Sequence, residues 1–344
     1  MKMKNALLVG FGRMGQKYHS ILKSLKFKEI DLIEKKKEHR DLALKNFKIS
    51  QKNIFNKLGK HHKKKDYYLI IISTTTDEKF NIFKNIASKR IQNIFFEKPI
   101  SRSLIECKKI KEISNNYKIN ITANHQWRFS NQIREIEKFL NKYKNQKLNS
   151  VNAITGNIGL AMGGSHLVEV FNYLTKNRIS NVSALLENKK TSNPRGKKFI
   201  DYTGEVICRN SKNQTLNMSI SSKKKHGYVL IFNFTSGYIF LDLLSGNIYS
   251  NFRKKKYEKF LSGYYALPSI IEKRKIKLSN LEHITKKNLI NFLNKKNYSS
   301  LNDSIEAIKV IIAAYESNIL NGKNINLKNF KSKRVFKWAW KLIK

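Results

Sequence analysis

Residues 6–34 read ALLVGFGRMGQKYHSILKSLKFKEIDLIE, and the rest of the chain is organised around them. The first four are apolar, which is typical of a strand buried on both faces of a parallel sheet. Residues 10–15 form a complete G-x-G-x-x-G, and apolar side chains then recur at helical spacing over residues 14–25. Residues 30–33 read as a second strand, which ends at Glu34. The order predicts a strand, a glycine turn, a helix and a second strand at the start of a parallel sheet.

The three glycines and the acid have separate physical roles in such a unit. Gly10 permits the tight turn, Gly12 lets the backbone approach a pyrophosphate, and Gly15 lets the helix pack on the strand. The helix N-terminus offers N–H groups and the positive end of its dipole to phosphates. Glu34 stands where an acid accepts hydrogen bonds from a ribose. A chance glycine cluster in a loop is the alternative, but the ordered set of elements predicts a dinucleotide site.

Glu34 also bears on the choice of cofactor. A carboxylate repels a 2′-phosphate and bonds a free ribose diol, so Glu34 predicts NAD. Lys35, Lys36 and Lys37 follow it, and their charges could favour the phosphate. NADP therefore stays the alternative cofactor.

Length and composition limit the class of protein. A chain of 344 residues can bury a large core, and this length favours two domains over one. No apolar run approaches the roughly 20 residues that cross a bilayer. Cys107 and Cys208 are the only cysteines, too few for a disulfide framework or a thiolate metal site. We therefore expect a cytoplasmic protein with no membrane span and no metal site.

The formal charge of +45 is large, but its distribution argues against nucleic-acid binding. Lysine accounts for 57 of the 69 basic residues, and the lysines are spread along the whole chain. Nucleic-acid surfaces rely on arginine for bidentate contacts and usually cluster their charge. The pattern indicates a solvated, lysine-rich surface that attracts anions non-specifically. A nucleic-acid binder is kept as an alternative that only this charge supports.

Two patterns of periodicity divide the chain. Apolar strands alternate with helical segments up to residue 123, which predicts an N-terminal Rossmann domain over residues 1–123. Residues 124–344 are predicted to form an α+β domain with a large, mostly antiparallel open sheet, so the overall class is α/β. A late helix at residues 303–320 is expected near the domain junction. The predicted strands of the second domain are residues 151–158, 182–187, 202–209, 214–221, 228–235 and 238–243.

Polar residues follow two further strands of the first domain. A Ser-Thr-Thr run comes after the apolar residues 67–72, and Glu-Lys-Pro follows residues 94–96. Ligands bind at the carboxyl ends of parallel strands. The hydroxyl residues could also cap the helix that begins near residue 78, and the two roles can coexist. The predicted cofactor contacts are Gly10, Phe11, Gly12, Arg13, Met14, Gly15, Glu34, Ser73, Thr74, Thr75, Glu97 and Lys98.

Taken in order, the glycine motif, Glu34, residues 73–77, the Glu-Lys-Pro tripeptide, Arg128-Phe129 and residues 166–169 resemble the Gfo/Idh/MocA family. This is the group of glucose–fructose oxidoreductase and inositol dehydrogenase, and the resemblance covers nearly the whole chain. It implies an NAD(P)-dependent oxidoreductase that moves a hydride between nicotinamide and a hydroxyl-bearing carbon. The implied substrate is a sugar, a cyclitol or a nucleotide sugar. The antiparallel sheet is expected to join a homodimer or homotetramer.

The resemblance also implies roles for two catalytic residues. Lys98 corresponds to the family lysine that meets the substrate beside the nicotinamide, where a partly desolvated lysine exchanges protons more readily. His166 corresponds to the family histidine, with Glu169 in the place of its usual Asp. On a helix these two positions share a face, so Glu169 could orient the imidazole that accepts the substrate proton. The alternatives are a solvated surface lysine and a hydrogen-bonded core histidine.

Two departures from the family pattern keep a second function open. The Asp that usually stands four residues before the histidine is Met162 here, and the His after the Thr-Pro-Thr run is Lys79. The loss at residue 162 removes one member of a catalytic trio. A catalytically silent NAD(P)-binding sensor on the same scaffold is therefore the alternative to an enzyme.

The substrate is expected to meet some of the polar and aromatic groups of the second domain, a set that includes Asp201. For Arg128, a structural ion pair or a contact with the cofactor is favoured over a catalytic role. The predicted substrate contacts are His125, Trp127, Arg128, Glu169 and Arg195.

Overall fold

Two β-sheets organise the computed structural model, which describes residues 4–156, 158–187, 200–260 and 267–336. Nearly every residue of the longer strands of the first sheet is buried, because helices cover both faces of a parallel sheet. Its strands are β1 (Asn5–Val9), β2 (Glu29–Ile33), β3 (Ile54–Phe55), β4 (Leu69–Ile72), β5 (Asn93–Phe96) and β6 (Asn120–Ala123). They are all parallel, in the order β3-β2-β1-β4-β5-β6.

The strand order places a crevice at the carboxyl ends of β1 and β4. The chain runs outward from β1 towards β3 and, after returning to β4, outward towards β6. Ligands bind in open α/β sheets at such a reversal. Gly10 follows β1 and Ser73 follows β4, so both residues border the crevice. The helices in this part of the chain are α1 (Arg13–Ser24), α2 (Lys37–Lys45), α3 (Lys60–Lys64), α4 (Thr76–Ile86) and α5 (Leu104–Tyr117).

The second sheet is larger and mostly antiparallel. Its strands are β7 (Leu148–Thr155), β8 (Ile179–Leu186), β9 (Gly204–Asn210), β10 (Thr215–Ile220), β11 (Val229–Phe234), β12 (Gly237–Asp242), β13 (Asn247–Arg253), β14 (Ser269–Lys275) and β15 (Ile325–Asn326). The order is β14-β13-β12-β11-β7-β10-β9-β8-β15, and only β7 and β10 pair in parallel. The predicted α/β class with a second, mostly antiparallel sheet is confirmed.

One face of the second sheet is packed and the other is open. Strand β9 alternates buried and exposed residues, as a strand with one solvated face does. On the open face Leu185 is 62% exposed and Ile207 is 54% exposed. Strands β13 and β14 are absent from the sequence prediction. Strand β14 lies at the edge of the sheet, and its charged residues mask the alternation of apolar and polar positions.

Four more helices complete the described part of the fold: α6 (Asn131–Lys142), α7 (Ser165–Thr175), α8 (Leu281–Leu293) and α9 (Leu301–Ile319). The late helix α9 lies on the packed side of the second sheet and buries a row of alanine and isoleucine side chains. Just before it, the Thr122 hydroxyl at the end of the first sheet donates a hydrogen bond to the Ser299 carbonyl. None of the described helices is both long enough and apolar enough to span a membrane.

The sequence pattern does not predict α8, and the structure places it on the first sheet. Its Leu289 and Phe292 are buried in one cluster with Leu8 of β1, and the Phe292 and Phe95 rings lie 6.0 Å apart. Asn280 caps this helix by accepting a hydrogen bond from the Glu282 backbone N–H. An Asn followed by an acid in the first turn is the signal that could have located the helix.

Candidate active site

The glycine loop joins β1 to α1, and at Gly10 and Gly15 the structure requires a glycine. Gly10 has φ +93°, in the left-handed region, and its N–H donates to the Ile33 carbonyl at 2.8 Å. A Cβ added at Gly15 would overlap the Gly10 carbonyl oxygen. A Cβ added at Gly12 would instead meet nothing within 4 Å. The loop is therefore closed where helix and strand pack, and open where a ligand would approach the backbone.

The start of α1 fits the pyrophosphate of a dinucleotide. Gly12 is the N-cap of this helix, and no side chain caps the helix there. First-turn N–H groups left without such a cap are the usual donors to a phosphate. The residues present thus suit the group that the motif predicts. Among the other predicted loop contacts, the Arg13 side chain is exposed, Met14 is half-buried, and the Phe11 ring is buried 5.1 Å from Phe47.

Glu34 is held against the glycine loop. Its Oε2 accepts a hydrogen bond from the Phe11 backbone N–H at 2.6 Å, and its Oε1 accepts one from the Lys36 backbone N–H at 2.9 Å. Lys35, which could have favoured a 2′-phosphate, pairs with Glu78 at 2.5 Å, and the Lys36 ammonium lies 3.3 Å from Glu38. These exposed pairs are weak, but both place an acid beside the cation.

The hydroxyl run after β4 lies against the same loop. The Ser73 hydroxyl donates to the Gly10 carbonyl at 2.9 Å, and the Ser73 N–H donates to the Val9 carbonyl at 2.8 Å. Thr75 occupies the N-cap position of α4 without a side-chain hydrogen bond to the helix, and Thr74 is half-buried beside it. Ser73 therefore contacts the glycine loop, as predicted, whereas the Thr75 side chain makes no capping hydrogen bond to α4.

Glu97 and Lys98 follow β5 and point to different partners. The Glu97 carboxylate accepts hydrogen bonds from the Tyr18 hydroxyl of α1 and from the Asn124 amide, the latter at 3.2 Å. Burial raises the pKa of Tyr18 well above its ordinary value, and the Glu97 charge adds to this effect. Lys98 is 7% exposed, and its ammonium donates to the Met162 carbonyl at 3.0 Å. The Lys98–Pro99 peptide bond is cis.

The Met162 contact brings the two halves of the site together. Met162 lies in a π-helical turn, Leu160–Gly164, which leads directly into α7 and His166. The predicted site residues Lys98 and His166 therefore meet around this turn, although 68 positions separate them in the sequence. At residue 162, where the family carries a carboxylate, this chain offers a main-chain carbonyl to Lys98.

His166 lies in a cluster of aromatic rings. Its imidazole is stacked on Trp127 with ring centroids 4.6 Å apart and planes 5° apart. His125 meets it edge to face at 5.7 Å. The Tyr228 ring meets Trp127 edge to face, with centroids 4.6 Å apart and planes at 89°. In the described part of the chain, the buried Nδ1 atoms of His125 and His166 have no hydrogen-bond partner.

Both imidazoles are neutral near pH 7. Burial lowers the pKa of His125 to about 3, with the Lys98 and Arg128 charges acting in the same direction. Burial likewise holds the pKa of His166 well below its ordinary value, with Lys98 and then His125 as further causes. A neutral imidazole has a lone pair that can accept a proton or a hydrogen bond. The cluster thus pairs a buried lysine with an uncharged histidine.

The expected contact between Glu169 and His166 is not formed. The buried Glu169 carboxylate instead accepts a hydrogen bond from the Arg128 guanidinium, and Asp303 lies 3.9 Å from the same guanidinium. Arg128 also lies over the Tyr173 ring at 4.5 Å. The two α7 positions do lie on neighbouring sides of the helix, but a buried arginine from another segment takes the carboxylate. Arg195, the remaining predicted substrate contact, lies outside the described residues.

Two further residues contribute to the site. Asp201 is buried and accepts hydrogen bonds from the Ala161, Met162 and Tyr202 backbone N–H groups, each at 2.9 Å. It therefore holds the turn whose Met162 carbonyl receives Lys98. Tyr228 is the second, and burial raises its pKa, with a further contribution from Asp201. Neither belongs to a motif, so only the fold shows which contacts they make.

Replacing Asp201 with Asn should change how stability depends on pH. Burial raises the pKa of Asp201 from 3.8 to about 6. A raised carboxyl pKa stabilises the fold fully below the unfolded value and loses this contribution as pH rises through about 6. Two pKa units are worth on the order of 3 kcal/mol. Wild type should therefore lose about that much relative to Asp201→Asn between pH 4 and pH 7, measured as thermal unfolding midpoints across the range.

Asp242→Asn is the matched control for this experiment. Hydrogen bonds from Ser245 lower the pKa of Asp242, so that residue contributes stability at higher pH and loses it on acidification. As pH rises, wild type should therefore lose stability relative to Asp201→Asn and gain stability relative to Asp242→Asn. Parallel curves for wild type and Asp201→Asn would contradict the assignment.

The fold and the site define a class of protein before any comparison. A parallel six-stranded sheet with an open glycine loop is the architecture of a dinucleotide-binding domain, and here it is joined to a second, mostly antiparallel sheet. A family model described as an oxidoreductase family with an NAD-binding Rossmann fold, GFO_IDH_MocA, matches residues 4–125. Over these residues, the match confirms the resemblance of the chain to the Gfo/Idh/MocA oxidoreductases. No curated protein sequence matches it.

Solved structures resemble the chain over nearly its whole length. An oxidoreductase from Agrobacterium radiobacter in complex with NAD+, L-tartaric acid and magnesium has a TM-score of 0.77 at 14% identity, covering 95% of this chain and 99% of that one. The transcriptional regulator Gal80p from Kluyveromyces lactis has a TM-score of 0.75 at 13% identity, covering 96% of each chain. Myo-inositol 2-dehydrogenase from Lactobacillus plantarum has a TM-score of 0.72 at 13% identity, covering 94% and 99%. At these identities the likeness concerns the fold alone.

Proposed function

We propose that the protein is an NAD-dependent oxidoreductase that acts on a hydroxyl-bearing carbon of a sugar, a cyclitol or a nucleotide sugar. The observation that carries this proposal is the meeting of Lys98 and His166 around the Met162 turn, on the edge of the sheet that holds the glycine loop. A buried cation and a neutral imidazole at this edge are the groups that a carbinol oxidation needs.

The glycine loop and Glu34 are assigned to the dinucleotide. The first turn of α1 would hold the pyrophosphate above Gly12, and Glu34 would accept hydrogen bonds from the adenosine ribose. When bound, the nicotinamide supplies a carbon that accepts or returns a hydride. The chemistry left to the chain is the movement of one proton and the exclusion of water.

His166 is the group that we assign to the proton. Oxidation of a secondary alcohol releases a hydride from carbon and a proton from oxygen, and neutral His166 can accept that proton. Lys98 would donate a hydrogen bond to the same oxygen, in the way that it now donates to the Met162 carbonyl. The flat stack with Trp127 fixes the imidazole plane, so the proton acceptor is oriented before substrate arrives.

The surroundings favour a polyhydroxylated substrate. Lys98, His125 and His166 are each less than 10% exposed, so a bound hydroxyl would meet donors in a site with little water. Trp127 and Tyr228 offer aromatic surface to the apolar face of a ring. Inositol is the substrate that the name of one structural neighbour prints, and a cyclitol has these features.

A screen of sugars, cyclitols and nucleotide sugars tests the function directly. Purified protein with NAD+ and each alcohol should produce NADH, read as absorbance at the nicotinamide band. The reverse assay with NADH and the matching ketone checks the other direction. An absence of turnover with every member of all three classes would overturn the proposal.

A cofactor-binding regulator is the second candidate function. Met162 removes a carboxylate that the family usually carries near this histidine. The whole-chain likeness to Gal80p adds that a transcriptional regulator uses the same fold. This reading predicts tight binding of NAD(H) and of a sugar-like ligand with no turnover, so the same screen, combined with calorimetric titration, separates the two functions.

We expect NADH to bind at least tenfold more tightly than NADPH, a difference of about 1.4 kcal/mol. Glu34 would repel the 2′-phosphate, and Lys35 lies beside Glu78. Glu34→Gln should narrow the difference, because the amide keeps the size of the side chain and loses its charge. Fluorescence titration of both reduced cofactors measures it. The control is Asp41→Asn, which alters an exposed acid of α2. Tighter binding of NADPH by wild type would contradict the role of Glu34.

We also propose that the protein is a cytoplasmic homodimer or homotetramer joined through the open face of the second sheet. Leu185 and Ile207 are exposed apolar side chains on that face, and burying them would favour association. Cys107 and Cys208 are free and buried, which suits a reducing compartment. Analytical ultracentrifugation of wild type and Ile207→Lys tests the interface: a monomeric wild type would exclude it. We expect no specific nucleic-acid complex, because the lysines are spread along the whole chain.

A further inference from the structure

Lys79 is one of the most deeply buried charged side chains among the described residues. It lies in the first half of α4, its side chain is 1% exposed, and lysine is almost never so buried without hydrogen-bond partners. Its ammonium donates a hydrogen bond to the Glu97 carbonyl and another, at 2.8 Å, to the Pro99 carbonyl. These are the main-chain groups on the two sides of Lys98.

The backbone at these carbonyls has left the sheet. The Glu97 N–H still donates to the Ile72 carbonyl at 2.9 Å, and the Asn124 N–H donates to the Phe96 carbonyl at 2.8 Å. The Glu97 and Pro99 carbonyls lie beyond these last strand-to-strand bonds. Buried carbonyls need a donor, and here one ammonium from α4 serves both.

Lys98 is therefore held at two levels. Its side chain ends on the Met162 carbonyl, and its backbone is fixed from both sides by Lys79. A neutral side chain of the same length could fill the space of Lys79 but could not donate to the two carbonyls. A histidine, which the family resemblance places here, can donate through at most two ring nitrogens in a fixed plane.

We propose that Lys79 is a positioning residue for Lys98, and that it holds the Glu97–Pro99 turn so that the Lys98 ammonium reaches the substrate oxygen. This inference rests on the proposed function, because it assumes that Lys98 takes part in the reaction. Lys79 does not touch the substrate in this scheme. It acts only through the backbone that carries Lys98.

Kinetics of three variants test the proposal. Lys79→Met keeps the length of the buried stem and removes the donors, so kcat should fall by about a hundredfold, the cost of a small misplacement of a reacting group. The NADH dissociation constant should stay close to the wild-type value. Lys79→His, which restores a donor, should recover part of kcat. Lys84→Met makes the same replacement at an exposed position of the same helix and should behave as wild type.

Hydrogen exchange supplies a measurement that does not depend on turnover. Peptides that contain residues 97–101 should exchange faster in Lys79→Met than in wild type or Lys84→Met, because the turn loses its two anchors. If Lys79→Met only lowers the unfolding temperature, while its folded protein keeps wild-type kcat and exchange, the positioning role is overturned. If wild type turns over no substrate, the proposed function fails, and hydrogen exchange alone tests whether Lys79 holds the backbone around Lys98. Faster exchange of residues 97–101 in Lys79→Met would support that role, and unchanged exchange would refute it.

Discussion

Lys98→Met is expected to lower turnover by about two to four orders of magnitude, the usual worth of a positioned acid or base. The replacement has a similar length and removes the ammonium that now donates to the Met162 carbonyl. Binding of NAD(H) should change little, because the glycine loop and Glu34 are untouched. Steady-state kinetics and fluorescence titration measure the two quantities on the same preparation.

His166→Asn should reduce kcat over a similar range. The double variant should lose less than the product of the two single losses, because both groups act on one proton. Loss of the stack with Trp127 also lowers stability, so the assay is run below the unfolding temperature of the variant. The rate of wild type should fall at acidic pH, because protonation of His166, whose pKa is lowered, removes the proton acceptor. This acidic limb of the rate–pH profile should be absent from His166→Asn.

Lys108→Met is the matched control for Lys98→Met. The Lys108 side chain is 80% exposed and pairs with Glu112 on α5, away from the site. This variant should keep wild-type kinetics. A Lys98→Met protein with the turnover of Lys108→Met would show that Lys98 is a structural lysine. A Lys98→Met protein that also loses NADH binding would move its role from the substrate to the cofactor.

The second large effect is expected at the glycine loop, where one alanine substitution should weaken cofactor binding and another should lower the stability of the fold. Gly12→Ala should weaken NADH binding at least tenfold, about 1.4 kcal/mol, with little change in stability. The φ of Gly12 is −68°, which any residue adopts, and an added Cβ meets no protein atom within 4 Å. The methyl group would thus stand only in the way of the pyrophosphate.

Gly15→Ala should instead damage the fold. Its Cβ would overlap the Gly10 carbonyl oxygen, and backbone cannot move aside as a flexible side chain can. Overpacking of this kind costs about 1–3 kcal/mol. Thermal unfolding and NADH titration of both variants separate the effects. If Gly12→Ala binds NADH as wild type does, the phosphates lie elsewhere.

Local sequence patterns were sufficient for the frame of the molecule. The apolar run before Gly10 and the helical spacing after it depend on neighbouring residues, so they predict β1, α1 and β2 correctly. Alternation over six or more residues likewise predicts the first six strands of the second sheet. The motif order placed Lys98 and His166 in one site, and the structure brings both to the Met162 turn. Where the pattern is short or masked by charge, as in α8 and β14, it fails.

The partners within the site were decided by tertiary packing. Sequence spacing puts Glu169 near His166 on a helix, yet Arg128, which arrives from a distant segment, takes the carboxylate. Asp201 holds the turn at residues 161 and 162 across 40 positions of sequence. Lys79 reads as one lysine among many until α4 turns it under the Glu97 and Pro99 carbonyls.

The sequence by itself determined a dinucleotide-binding sheet, its glycine loop and the strand end that carries Lys98. Those features follow from contacts along one strand or one helix turn, which neighbouring residues specify. Only the tertiary structure decided that the carbonyl of residue 162 accepts a hydrogen bond from Lys98, and that Glu169 pairs with Arg128 and not with His166. It also decided that a second buried ammonium donates to the carbonyls on both sides of Lys98. The physical reason is burial: a polar group excluded from water takes the partner that packing brings within hydrogen-bond distance, however far away it lies in the chain.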